Sequence, residues 1–175
     1  FLLTNLLLDV LVGSSPSRVV NVASIVHQKA KIDLFDAHAP RHYSGFRAYS
    51  RSKLCNLLFT YELARRLEGT GVTANALHPG LVATNILTNN GILGRSLNML
   101  LGIRGISVEA GALTSVYAAS SPEMEGVSGK YLDKKKIVRS SARSFDEAQA
   151  AALWELSASL TGIPAETGIP SPAAS

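Results

Sequence analysis

The chain has a single cysteine, Cys55, among its 175 residues, so no internal disulfide framework can staple it. Its four histidines, His27, His38, His42 and His78, lack metal-site spacing to one another and to Cys55, and no metal centre is expected. Charge is sparse, at 17%, and the net excess is only +4. Lys134-Lys135-Lys136 is the one tight basic cluster, and no aromatic stripe interleaves with it, which sets nucleic-acid binding aside. Long hydrophobic runs are missing too. The apolar opening, Phe1 to Leu8, is broken by Thr4 and Asn5 and followed by Asp9, too short to span a bilayer. It also lacks the basic region and cleavage site of a signal peptide. It reads as the interior of a helix, so the front part of the fold is expected to lie ahead of Phe1.

What remains is 46% apolar residues, a globular composition with enough chain for one cored domain. Residues 2–12 read as a helix that Gly13 and Ser14-Ser15-Pro16-Ser17 bring to an end. Residues 18–24 are mostly β-branched and apolar, a buried parallel strand with Ser24 at its C-terminal end. A polar connection over residues 25–47 leads into a strong helix, residues 49–67, closed by Glu68-Gly69-Thr70-Gly71. Residues 72–78 form a second buried strand, halted at Pro79-Gly80. Residues 81–106 are irregular, and a loop of that length suggests a lid or binding segment. A helix over 108–120, a short strand over 129–132 and a helix over 145–160 complete the pattern. Asp146 and Glu147 lie in the first turn of the last helix and Trp154 in its core face. The domain is expected to span residues 1–162, and residues 163–175, with three prolines, to be a disordered tail. Helices alternating with strands predict an open, doubly wound parallel α/β sheet, with its N-terminal half missing because no strand precedes the first helix. Ligands bind beyond the strand C-termini of such sheets, where Ser24 and His78-Pro79-Gly80 fall.

Chemistry is concentrated at Tyr49 and Lys53. Four residues make just over one helical turn, so the two side chains share a face. An ammonium beside a phenol favours the phenolate and makes an acid/base usable near neutral pH. The spacing recurs at Tyr131 and Lys135, but there it falls on a strand running into a solvated charge run. Side chains four residues apart on a strand are about 13 Å apart, so that copy is read as structural. The same reading makes Cys55 a small buried residue, His78 a satisfied structural histidine, Tyr43 and Tyr61 surface or packing residues, and Arg65 and Arg66 a solvated helix face.

Ser24 precedes Tyr49 by 25 residues. A Ser at a strand end followed by Tyr-x-x-x-Lys on the next helix resembles the short-chain dehydrogenase/reductase family. Pro79-Gly80-Leu81-Val82-Ala83-Thr84 is similar to that family's Pro-Gly-x-x-x-Thr cofactor segment. Within the family, Glu62-Leu63-Ala64-Arg65-Arg66-Leu67-Glu68-Gly69-Thr70 and Ser128-Gly129-Lys130-Tyr131 resemble the retinol dehydrogenase group. The resemblance implies a Rossmann-like fold and an NADP-dependent oxidoreductase that interconverts an apolar alcohol and an aldehyde or ketone. It makes Tyr49 the acid/base, has Lys53 lower the Tyr49 pKa and bind the nicotinamide ribose, and has Ser24 hold the substrate oxygen. Tyr49, Lys53, Pro79, Gly80, Val82 and Thr84 would hold the cofactor, and residues 81–106 would cover a retinoid or lipid aldehyde. NAD stays open beside NADP, because the Gly-rich turn and the residues that discriminate the two do not occur in this chain. The resemblance also implies a homodimer and association with an endoplasmic reticulum or mitochondrial membrane through a preceding segment. Ala23 departs from the Ser often found beside the active Ser. The competing expectation is a truncated, non-catalytic product that acts through partner binding, since its sheet edge and apolar helix faces would be exposed.

Overall fold

A computed structural model describes residues 1–31, 44–80 and 107–165. Helix α1 (Leu2–Gly13) leads to strand β1 (Ser17–Val22) and a 3-10 turn, Ile25–Lys29. Helix α2 (Gly45–Arg66) and strand β2 (Val72–His78) follow, then helix α3 (Val108–Ser120). A hairpin of β3 (Tyr131–Asp133) and β4 (Lys136–Val138) precedes helix α4 (Glu147–Thr161). The sheet order is β1-β2-β3-β4. β1 pairs parallel with β2 and β2 parallel with β3, whereas β4 runs antiparallel to β3. The expected parallel α/β sheet is therefore present with one antiparallel strand added.

Alternation along β2 sorts the helices onto two faces. Val72 and Ala74 pack with Leu8 of α1, Leu63 of α2 and Trp154 of α4. Ala76 and Tyr131 continue that face against Leu57 and Tyr61. Leu77 and Leu132 point the other way, toward Ala118 of α3 and Met124. All seven residues of β2 are buried, as a central strand covered on both faces requires. Asn75 is tolerated there because its amide donates to the Val127 carbonyl at 2.6 Å and accepts from the Lys130 N–H at 2.9 Å. Arg18 donates to the Ser121 carbonyl at 2.9 Å, placing a cation at the C-terminal end of α3.

The charge run is exposed, as expected, and it closes a hairpin. The strand does not extend to Lys135. Asp133 pairs with Lys136, so Lys134 and Lys135 form a two-residue turn, with φ of 49° and 63°. Two consecutive positive φ values define the mirror-image turn that suits hairpin twist, and Asn-Gly fills it best. The double substitution Lys134→Asn, Lys135→Gly is expected to stabilise the fold by about 1 kcal/mol, because lysine in the left-handed region carries a steric cost. In a chain of this size that raises the melting temperature by about 2–4 °C; an unchanged or lower value would contradict the turn assignment.

The first residues of the expected C-terminal tail pack against the domain. Helix α4 is capped by Asp146, whose carboxylate accepts from the Gln149 N–H at 2.9 Å, and it ends on left-handed Gly162. The chain then docks rather than leaving the domain. The Ala165 carbonyl accepts from Trp154 Nε1 at 3.1 Å and from Arg66 Nη1 at 3.0 Å. The expected tail is thus anchored at least as far as Ala165; residues 166–175 lie outside the described residues. Arg66 is correspondingly not a free solvated side chain. Its guanidinium lies 4.3 Å from the Trp154 ring centroid and pairs with Glu62 at 2.6 Å. Arg65 pairs with the other Glu62 oxygen at 2.6 Å. Burial works to raise the Glu62 pKa, but the hydrogen bonds from Arg66 and Arg65 together outweigh it and hold the carboxyl below its ordinary range.

Candidate active site

Helix α2 starts one turn before Tyr49, so Tyr49 and Lys53 are both helical and lie on one face. Asn56 and Thr60 extend the same stripe at helical spacing. This stripe is stitched to the C-terminal end of β1. Lys53 Nζ donates to the Val22 carbonyl at 3.2 Å, and Asn56 Nδ2 donates to the same oxygen at 3.1 Å. One turn further, Thr60 Oγ1 accepts from Asn21 Nδ2 at 2.9 Å and donates to the Asn56 carbonyl at 2.6 Å. Lys53 Nζ sits 5.5 Å from the Tyr49 ring centroid. Burial pushes the Lys53 pKa down from its ordinary value. The Tyr49 side of the pair faces outward, with the residue 41% exposed.

Ser24 lies two residues beyond β1, in extended backbone with φ −160° and ψ 153°. Its hydroxyl does not cap the 3-10 turn that follows. The β1–β2 ladder continues past Val22, because the Ala23 N–H donates to the Leu77 carbonyl at 2.8 Å. Ser24 and Pro79-Gly80 consequently leave the sheet at the same edge, the C-terminal edge of two parallel neighbours. Gly80 has φ 89°, a conformation in which a side chain would be strained. The structure thus brings Ser24, Lys53, Pro79 and Gly80 to one edge, with Tyr49 a turn from Lys53. Val82, Thr84 and the whole 81–106 segment lie outside the described residues, as do His38, His42 and Tyr43.

Several expectations shift. His78 is buried at that edge, and its Nδ1 has no hydrogen-bond partner among the described residues. Burial pushes its pKa down; Asp133 works the other way, and His27 and Lys134 add to the lowering. Cys55 is half-buried rather than fully buried, and burial raises its thiol pKa. Tyr61 is a packing residue, as expected, and is buried with its hydroxyl 2.7 Å from Ser140 Oγ. The second Tyr-x-x-x-Lys copy is confined to the hairpin. The Tyr131 hydroxyl is buried without a partner among the described residues, and burial, with Asp133 and Tyr61 adding to it, pushes its pKa further up. Among the described residues no three His, Cys, Asp or Glu side chains could hold a metal ion, and no helix is long and apolar enough to cross a membrane. Sequence reasoning missed Asn56 and His27. Asn56 could have been found three residues after Lys53 on the same helix face; His27 carries no local signal.

A family model described as short chain dehydrogenase matches residues 1–91, the span that contains every one of these residues up to Gly80. The chain belongs to the short-chain dehydrogenase family. Within it, the chain resembles retinol dehydrogenases. It is 44% identical over 173 residues to retinol dehydrogenase 14 of Homo sapiens, covering 93% of this chain and 49% of that protein. Retinol dehydrogenase 14 of Mus musculus is 46% identical over the same length, covering 93% and 50%. Retinol dehydrogenase 13 of Homo sapiens is 43% identical over 171 residues, covering 94% and 52%. The chain spans about half the length of the curated relatives it matches. A crystal structure of an uncharacterized protein from Mycobacterium Paratuberculosis matches with a TM-score of 0.68 at 36% identity, over 97% of this chain and 56% of that one.

Proposed function

We propose that this short-chain dehydrogenase chain carries the proton-transfer half of an NADP-dependent oxidoreductase site, which interconverts an apolar alcohol, of the retinol kind, and its aldehyde. The observation that carries the reading is the seating of Lys53 and Asn56, on the helix face that also bears Tyr49, on the Val22 carbonyl two residues before Ser24. Tyr49 is the acid/base: it gives its proton to the carbonyl oxygen on reduction and takes one from the alcohol on oxidation. The Ser24 hydroxyl donates a hydrogen bond to the same substrate oxygen. The Val22 carbonyl orients Lys53 so that the ammonium stays beside the phenol.

Two features support a nicotinamide dinucleotide at this edge. An ammonium has three N–H donors, and Lys53 places one on Val22, which leaves two for ribose hydroxyls. Gly80, at φ 89°, lets backbone approach a ligand where a side chain would interfere. Lys53, Tyr49, Pro79 and Gly80, with Val82 and Thr84 beyond the described residues, would hold it. When bound, the nicotinamide supplies or accepts the hydride. NADP is the form favoured by the likeness to retinol dehydrogenases, and a retinoid or other long apolar aldehyde is the substrate class their names suggest. Membrane association and a homodimer belong to the same proposal and rest on that likeness alone.

The second reading is a non-catalytic chain that binds a partner. It draws on the exposed apolar face of α1, where Leu3 is 71%, Leu6 65% and Val10 64% exposed. One assay separates the two. The natural-length protein is expected to oxidise NADPH when given retinal, and more slowly when given a short polar aldehyde. Absence of aldehyde-dependent oxidation with either cofactor form would overturn the enzymatic reading and leave the second.

A further inference from the structure

We propose that His27 is a positioning residue for Ser24, clamping the Ser24 peptide through its imidazole and tying it to the loop before α4. The proposal rests on the reading of Ser24 given above and extends it to a residue that no sequence pattern singles out.

His27 is fully buried. Its Nδ1 lies 2.6 Å from the Ser24 carbonyl oxygen. A carbonyl only accepts, so Nδ1 must carry the proton. Its Nε2 lies 3.1 Å from the Ser141 backbone N–H, which only donates, so Nε2 must be the lone pair. The two contacts together specify one neutral tautomer. Burial, which pushes the His27 pKa down despite the Ser24 contact, favours the same state. The His27 backbone N–H also donates to the Ser24 carbonyl, at 3.1 Å. One oxygen therefore receives two donors from one residue, which uses both of its lone pairs. Fixing that carbonyl fixes ψ of Ser24 and, with it, the direction in which the Ser24 side chain leaves the backbone.

The anchor behind His27 is itself held. Ser144 Oγ donates to the Ser141 carbonyl at 2.6 Å. Its single proton being used there, it accepts from Ser140 Oγ at 2.6 Å. Ser140 Oγ in turn accepts from the Tyr61 hydroxyl at 2.7 Å. Tyr61 lies on α2, the helix that carries Tyr49 and Lys53. The chain Tyr61, Ser140, Ser144, Ser141, His27, Ser24 thus references the strand-end serine to the helix that bears the acid/base. The His27 and Tyr131 rings meet edge to face, with centroids 5.3 Å apart, which packs the imidazole against strand β3.

The test is a kinetic cycle in the natural-length protein with NADPH and retinal. His27→Ala is expected to lower kcat by about 10- to 100-fold, the scale of a small misplacement of a reacting group, with KM for NADPH unchanged. His27→Asn, whose amide can still donate toward the Ser24 carbonyl, is expected to recover most of the loss. In a Ser24→Ala background, His27→Ala is expected to cost nothing further. Equal losses in both backgrounds would overturn the proposal while leaving the role of Ser24 intact. Wild-type turnover in Ser24→Ala alone would remove the role of Ser24 and the proposal with it. Nitrogen-15 NMR of the unsubstituted protein gives an independent readout: a protonated Nδ1 and bare Nε2 are expected for His27, and the opposite tautomer or an imidazolium would overturn the clamp even if the variants do not fold.

Discussion

Tyr49→Phe is expected to lower kcat for retinal reduction by about 10²–10⁴-fold, the range a positioned general acid contributes, without changing the melting temperature. The change removes one oxygen from a side chain that is 41% exposed, so no core contact is lost and no buried partner is stranded. Lys53 keeps its hydrogen bond to Val22, because that bond does not involve the phenol. Loss of rate with the fold and NADPH affinity retained is the signature of a group that acts in the transition state. The measurement is steady-state NADPH oxidation beside thermal unfolding of the same preparation. Unchanged turnover would remove Tyr49 from the chemistry and would leave the polar stripe of α2 as a structural seam.

Trp154→Ala is expected to cost about 3–5 kcal/mol of folding stability. Marginal domains have about 5–15 kcal/mol in total, so this change threatens the fold. Trp154 is 2% exposed and belongs to the core cluster with Leu8 of α1, Leu63 of α2 and Val72 and Ala74 of β2. Phe1 meets its ring edge-on at 4.9 Å and Phe59 stacks on it at 5.7 Å. Arg66 covers it at 4.3 Å, and its Nε1 holds the Ala165 carbonyl. Alanine would leave a cavity between α1, α2 and α4 and would unfasten the chain after Gly162. The expected fall in melting temperature is on the order of 10 °C. Trp154→Phe keeps a ring in place and forfeits the hydrogen bond, a loss of about 1 kcal/mol. A Trp154→Ala protein melting within about 2 °C of the unsubstituted one would show that the cluster is not the core described here.

Much of this architecture is legible in the sequence. The sequence predicts a strand over residues 72–78 and a helix over 108–120, the bounds found in the structure, because apolar strand-forming runs and Ala-rich segments declare themselves locally. The Tyr49–Lys53 pairing was readable for the same reason: a helix turn is a local distance. Boundaries moved where local signals were weak. The helix expected from Tyr49 begins at Gly45, since a glycine start is masked by the polar run before it. Strand β4 was missed because its three residues, Lys136–Val138, are exposed and pair only through the turn at Lys134-Lys135.

By itself the sequence determined which groups were on offer: a phenol and an ammonium one helical turn apart, a serine at a strand end, and a Pro-Gly halting the next strand. Spacing and periodicity are enough for that, because each is set by bonds within a few residues. The tertiary structure decided where those groups meet. Lys53 reaches the Val22 carbonyl across 31 residues, and His27 reaches Ser141 across 114. Such contacts depend on which strand pairs with which and how a helix lies over them, and no local pattern encodes a partner so distant. For that reason the sequence could nominate Ser24, Tyr49 and Lys53, but only packing could show that the buried His27 ring lies against the Ser24 carbonyl and the Ser141 N–H.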